Sequence, residues 1–158
     1  MNIKKIAFLD RDGVINRKAL PQEYITKVSD FVFNDGIFEL FSNLEKQGYE
    51  CIIITNQRGI ARKKLSEIDL HSIHAFMLEE LARRNITVLD VFYCPHDLNS
   101  CECRKPAAGM LIKAHEKYQI DTANSILISD SPEDVIMGEK FGIGTNYLIQ
   151  TDIIDLKL

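Results

Sequence analysis

The chain has 158 residues, enough for one domain with a substantial core, and its 46% hydrophobic and 27% charged composition is that of a soluble globular protein and not of a disordered one. A formal net charge of −4 gives no general attraction to nucleic acid or to an anionic membrane, so neither partner is expected and an anionic substrate has to be held by local positive groups. No apolar run approaches a membrane span, and Lys4 and Lys5 precede only four apolar residues, which argues against a secretory signal; a cytoplasmic monomer is expected.

The first element is the apolar run 6–9, which reads as a strand buried on both faces. Such a strand cannot hide the charges of Asp10 and Asp12, so both fall just past its carboxyl end, on one side if the backbone stays extended, with Gly13 permitting a turn. Two clustered carboxylates repel unless a cation lies between them, and hard oxygen ligands suit magnesium. One carboxylate could attack phosphorus while the other moves a proton. Taken alone, D-x-D-G is equally an ordinary strand end with solvated acids.

Residues 17–34 read as a loop with a short extended piece at 31–33, too short for a separate domain. Asp35 is expected to cap a helix that buries Ile37, Leu40, Phe41 and Leu44 and stops at Gly48. A second strand, 49–54, ends in Thr55, Asn56 and Gln57, followed by a basic turn with Arg58, Arg62, Lys63 and Lys64. Ser66 and Asp69 resemble a capping box for a helix burying Leu70, Ile73, Met77 and Leu81, on which His71 and His74 read as surface or half-buried residues. A third strand, 88–93, leads directly into Cys94. Helix 109–118 turns Met110, Leu111, Ala114 and Tyr118 inward and leaves His115 on the surface. A fourth strand, 125–129, ends at Asp130. Ser131 and Pro132 then suit the N-cap and first position of a helix running to about Phe141, and a last strand spans 146–149. The tail, 150–158, receives no assignment. Strands alternating with helices at this spacing give an α/β fold: a single three-layer, Rossmann-like domain over 1–158 with a mainly parallel sheet.

Three strands thus end in polar groups: Asp10 with Asp12, Thr55 with Asn56, and Asp130 with Asp134. One parallel sheet brings such ends to one edge. A phosphate docked against Asp10 could take hydrogen bonds from the Thr55 hydroxyl, the Asn56 amide and backbone N–H groups, and a positive charge from Lys105. Asp130 is a natural third magnesium ligand, whereas Asp134 is sufficiently explained as an acid favoured in the first turn of a helix. Cys94, His96, Cys101 and Cys103 lie within ten residues in a loop with no apolar period. Three thiols and an imidazole match a closed tetrahedral zinc site of structural role, which would also hold the neighbouring Arg104, Lys105 and Pro106 in place.

The segments FLDRDGVIN (8–16), TNQRGIAR (55–62), CPH (94–96), CECRKPAAGML (101–111) and SDSPEDV (129–135) resemble the haloacid dehalogenase-like phosphatases. More narrowly they resemble the branch that contains heptose bisphosphate phosphatase and the histidinol-phosphate phosphatase domain. The resemblance implies an uncapped domain and a small phosphorylated metabolite as substrate, heptose 1,7-bisphosphate first and histidinol phosphate second. A nucleic-acid-end phosphatase and a non-catalytic zinc-stabilised module are the remaining alternatives. It implies Asp10 as nucleophile, and Asp12 as the acid that protonates the leaving oxygen and then the base that activates water, so that Asp12 should start protonated with a raised pKa. Magnesium would be held by Asp10, the backbone carbonyl of Asp12 and Asp130, and zinc by Cys94, His96, Cys101 and Cys103. Thr55, Asn56 and Lys105 would hold the phosphoryl group, with Gln57, Arg58 and Arg104 on the substrate. Two departures stand out: Ser129 replaces the usual glycine, and only Asp97 to Ser100 separate His96 from Cys101.

Overall fold

The fold is that of a computed structural model, described for residues 2–150, 154, 156 and 158. The described residues form five strands and five α-helices: β1 (Ile6–Asp10), α1 (Ile37–Lys46), β2 (Glu50–Asn56), α2 (Arg58–Ala61), α3 (Glu67–Ala82), β3 (Val88–Cys94), α4 (Gly109–Tyr118), β4 (Ile126–Ser129), α5 (Pro132–Phe141) and β5 (Thr145–Leu148). The sheet order is β3-β2-β1-β4-β5 and every pairing is parallel. The chain therefore works outward from β1 to β3, then crosses back to lay down β4 on the other side. The reversal falls between β1 and β4, the place where open α/β sheets bind ligands.

Period-two alternation explains why β1 is apolar throughout. Ala7 and Leu9, with Cys51, Ile53, Ile126 and Ile128, face α1 and α3 through Leu40, Phe41, Leu44, Leu70, Ile73 and Met77. Ile6 and Phe8, with Ile52, Ile54 and Leu127, face α4 and α5 through Met110, Leu111, Ala114 and Met137. Each such fully buried aliphatic or phenyl side chain contributes about 1.5–3 kcal/mol, so the sheet is held from both sides.

Local signals mostly acted as read. Ser66 and Asp69 form a reciprocal capping box, with bonds of 3.0 and 2.8 Å. The start of α1 differs: Gly36, not Asp35, occupies the cap position, in the left-handed region at φ 84°, and no side chain caps the helix. The reason is tertiary, because a Cβ on Gly36 would meet the Ile154 carbonyl oxygen at 2.1 Å. The basic turn contains a single helical turn, α2. Residues 17–34 stay irregular apart from a 3-10 turn at Val28–Asp30 and a bridge between Asn16 and Phe33. Tyr118 is half-buried and donates its hydroxyl to Asp90 at 2.6 Å. His74, read as surface or half-buried, is buried, for a reason given below. No helix among the described residues is long and apolar enough to cross a membrane.

Candidate active site

The site begins where β1 stops. The carbonyl of Arg11 accepts the N–H groups of Val14, Ile15 and Asn16, closing a tight turn in which Gly13 has φ +92°. A Cβ on Gly13 would lie 2.2 Å from Asp130 Oδ2, so only glycine lets the turn after β1 press against the carboxylate that follows β4.

Asp10 sits on the floor of this junction. Lys105, only 5% exposed, donates through Nζ to Asp10 Oδ1 at 2.9 Å, to Asp134 Oδ2 at 2.7 Å and to the Ile54 carbonyl at 3.3 Å. The Ser129 hydroxyl lies 2.8 Å from Asp134 Oδ2 and 3.3 Å from Asp10 Oδ2; with one proton to give, it serves the nearer oxygen. Burial, with repulsion from Asp134 and Asp130, pushes Asp10 up to about 7 despite the ammonium beside it. Burial works against the charge on Lys105, but Asp10 and Asp134 outweigh it and hold the lysine above its ordinary value. Asp134 is therefore more than a first-turn acid: buried, it shares the lysine with Asp10.

Asp12 lies in a different setting. Its Oδ1 accepts from Arg11 Nη2 at 2.8 Å, Arg11 Nε at 3.2 Å and Asn16 Nδ2 at 2.9 Å, and its Oδ2 from Gln57 Nε2 at 3.0 Å. Burial raises its pKa, but the guanidinium and these donors more than reverse that and leave it below the ordinary carboxylate value. The expectation of a raised pKa on Asp12 is thus wrong for the resting site. A buried arginine and two amides that donate to Asp12 decide its charge, and Asp10 does not.

The residues expected to meet a phosphate also divide. Thr55 is buried at the end of β2, its hydroxyl oxygen accepting from Gln57 Nε2 at 2.9 Å. Gln57 is buried between Asp12 and Thr55, so its amide braces those two groups. The Asn56 amide is committed as well: its Nδ2 donates to the Lys105 carbonyl at 3.1 Å and its Oδ1 accepts the Lys105 N–H at 2.9 Å. The Asn56 amide is therefore also a clamp on the backbone that carries Lys105: one of its two N–H groups is spent there, and the residue still lines the cavity.

Above these groups opens a cavity of about 430 Å³. Lys18, Arg58, Arg62 and Arg104 give it a basic rim, and Leu20, Pro21 and Tyr24 an apolar wall. Arg58 is paired with Asp97, whereas one terminal nitrogen of Arg104 is buried with no hydrogen-bond partner. Lys63 and Lys64 are exposed and do not line the cavity.

The thiol cluster starts at Cys94, the last residue of β3, and continues in the loop that follows. The four ligand atoms of Cys94, His96, Cys101 and Cys103 all fall within 4.8 Å of one another. Sulfur–sulfur separations are 2.8, 3.5 and 3.6 Å, and His96 Nδ1 is 3.1 and 3.4 Å from two of the sulfurs. Four zinc bonds of about 2.0–2.3 Å in a tetrahedron need ligand atoms about 3.5–3.8 Å apart, so the set fits after small adjustments. Desolvation and the neighbouring thiols push Cys94 up to about 12, and Cys103 is raised as well. Against desolvation, backbone N–H groups of Arg104 and Cys103 help bring Cys101 down to about 6, so Cys101 is the thiol nearest the thiolate form of a metal ligand.

Residues 5–140 match the family model described as polynucleotide kinase 3 phosphatase. The chain belongs to this family of haloacid dehalogenase-like phosphatases. It is 44% identical over 148 residues to the D-glycero-alpha-D-manno-heptose-1,7-bisphosphate 7-phosphatase of Campylobacter jejuni, covering 94% of this chain and 84% of that one. It is 38% identical over 156 residues to the corresponding beta-heptose enzyme of Vibrio cholerae, covering 94% and 82%. A D,D-heptose 1,7-bisphosphate phosphatase of B. bronchiseptica, crystallised with magnesium and phosphate, superposes with a TM-score of 0.84 at 28% identity, over 92% of this chain and 80% of that one.

The phosphatase site suits a hard divalent cation. Asp130 Oδ1 is buried without a partner, and the Lys18 ammonium, 3.1 Å from Asp130 Oδ2, stands in for a positive charge there. Sequence reasoning missed Arg11, Asn16 and Lys18, and gave no role to Ser129 or His74. A charged residue between two aspartates carries no signal of burial, and its partner His74 lies 63 positions away.

Proposed function

We propose that this phosphatase hydrolyses the 7-phosphate of D-glycero-D-manno-heptose 1,7-bisphosphate through an aspartyl phosphate on Asp10. The observation that carries the reaction is the Asp10 carboxylate at the cavity floor, bonded to a buried lysine and two residues from a second carboxylate held in the opposite electrostatic state. The sugar is carried by relatives of that name that match over nine-tenths of the chain.

Asp10 attacks phosphorus as the bond to the leaving oxygen breaks, and Asp12 Oδ2 gives that oxygen its proton. Asp12 then accepts a proton from the water that attacks the phosphoenzyme. Lys105, the Thr55 hydroxyl and nearby backbone N–H groups neutralise and orient the equatorial oxygens, which is most of what phosphoryl transfer asks of a protein. Because resting Asp12 is ionised, its first proton arrives with the substrate: phosphate esters have a second pKa of about 6, so part of the substrate enters as the monoanion near neutrality. Magnesium, held by Asp10, the Asp12 carbonyl and Asp130, would supply further neutralisation of the phosphoryl oxygens. Zinc on Cys94, His96, Cys101 and Cys103 would fix the loop that carries Arg104 and Lys105. Arg104, with its unpartnered nitrogen, and Arg58 contact the substrate. Thiols kept as metal ligands suit a reducing cytoplasm.

Two other substrates compete. The short span between His96 and Cys101 leaves room for histidinol phosphate, and the family's description points to polynucleotide ends. The net charge of −4 and the lack of an aromatic-basic tract weigh against the polynucleotide. Turnover of both heptose bisphosphate anomers, histidinol phosphate and a 3′-phosphorylated oligonucleotide at equal concentration is the test. A kcat/KM for either heptose at least tenfold above the others is expected, and preference for histidinol phosphate or the oligonucleotide would overturn the assignment.

A further inference from the structure

Arg11 is the largest fully buried side chain of the described residues, and it lies between the two aspartates of the site. An arginine with no exposed surface needs acceptors for its N–H groups. Two nitrogens, Nε and Nη2, converge on Asp12 Oδ1; the third, Nη1, lies 3.1 Å from His74 Nε2 on α3. The Phe31 ring covers the guanidinium at 5.8 Å. A guanidinium can only donate, so His74 Nε2 must accept, which fixes the neutral imidazole with its proton on Nδ1. His74 itself is buried, with the Tyr93 ring edge-on at 6.2 Å. Burial and the neighbouring Arg11 charge bring it down to about 3, so it stays neutral.

This chain of contacts has a direction. With three donors on Oδ1, that oxygen is saturated, and Oδ2, bonded only to Gln57, is the one left for chemistry. We propose that His74 and Arg11 are positioning residues for proton transfer: His74 sets the guanidinium, the guanidinium pins Asp12 Oδ1, and Oδ2 is thereby aimed at the leaving oxygen. The inference rests on the reading of Asp12 as the acid and base of the reaction. In the step concerned, an Asp10 oxygen forms the new bond to phosphorus. The old P–O bond breaks with its electron pair going to the leaving oxygen, which takes the proton from Oδ2.

A misaimed acid hurts most when the leaving oxygen most needs a proton. Single-turnover phenol release is therefore measured across aryl phosphates, from 4-nitrophenyl phosphate, whose phenolate leaves unaided, to phenyl phosphate. For His74→Leu the loss should grow from about threefold on the first to about thirtyfold on the second, with KM within about twofold of the parent, since general acids contribute about 10²–10⁴ in all. His74→Gln, whose amide oxygen can accept from Nη1, should restore the parent dependence on leaving group. His74→Asn, too short to reach, should behave as His74→Leu, and it keeps the test running if a leucine beneath a buried arginine does not fold. An equal loss on every ester, or a His74→Gln as impaired as His74→Leu, would overturn the proposal and reduce the pair to a packing role. No phenol release from the parent chain would instead overturn the phosphatase mechanism on which it rests.

Discussion

The two clusters of ligand-type side chains are built in opposite ways. The carboxylates of Asp10, Asp12, Asp130 and Asp134 come from segments about 120 residues apart and meet only because β1 and β4 are neighbours in the sheet. The thiols and imidazole of Cys94, His96, Cys101 and Cys103 come from ten consecutive residues, the last of β3 and the loop after it. The oxygen cluster therefore depends on the whole fold and the sulfur cluster on one short segment; in the proposed function the first would contribute chemistry and the second shape to a loop with little apolar content. Breaking either should leave a different kind of damage.

The largest effect should follow Asp10→Asn. Turnover should fall at least about 10⁴-fold, as expected for loss of a nucleophile, while the melting temperature stays within about 5 °C of the parent. Kinetics and calorimetry on the same preparation check this, and a variant that keeps a tenth of the parent rate would remove Asp10 from the nucleophile's role. Cys101→Ser strikes the other cluster. Zinc, about one per chain in protein prepared without chelators, should be largely lost, with kcat down about 10–100-fold and the far-ultraviolet dichroism of the sheet domain retained. Full activity at zero zinc would separate the loop from the site.

A subtler break falls inside the oxygen cluster. Asp134→Asn removes one of the carboxylates that raise Asp10 and leaves the Lys105 pairing with Asp10 intact. The acid limb of kcat/KM should move to lower pH, with a loss of about tenfold in kcat from a less firmly held lysine. An acid limb moved to higher pH would show that Asp134 acts on Asp10 mainly through Lys105.

These contrasts explain what could be read in advance. The sulfur cluster was legible because its ligands are adjacent in sequence, and the oxygen cluster in outline because apolar runs stop abruptly at Asp10, Thr55 and Asp130. Contacts that only the finished fold creates were not legible. Asn56 turns its amide onto the Lys105 backbone, Gly36 replaces Asp35 at the start of α1 because the Ile154 carbonyl approaches, and Arg11 is buried because His74 accepts from it. The pKa of Asp12 was misjudged for the same reason: the neighbours that decide it are Gln57, just past β2, and Arg11 and Asn16 of the turn itself.

The smallest effect is thermodynamic and belongs to His74. Its folded pKa of about 3 lies below the ordinary 6.5, so between those values the unfolded chain binds a proton that the folded chain refuses. Stability is fully present above pH 6.5 and falls on acidification, by up to about 1.4 kcal/mol per pH unit from this group. Asp10, raised to about 7, acts in the opposite sense, so the difference between the parent and His74→Gln isolates the histidine. Urea unfolding at pH 7, 6 and 5 should show His74→Gln gaining on the parent as pH falls; parallel curves would mean His74 is not held neutral.

The central claim concerns one oxygen–phosphorus bond. The parent chain is mixed with a phosphorylated substrate and magnesium, quenched in acid within the first turnover, digested, and its peptides sequenced by mass spectrometry. Phosphate on Asp10, absent from the Asp10→Asn variant, is the predicted result. Substrate turned over at the parent rate with no phosphopeptide, or with the phosphate on any other residue, would contradict it.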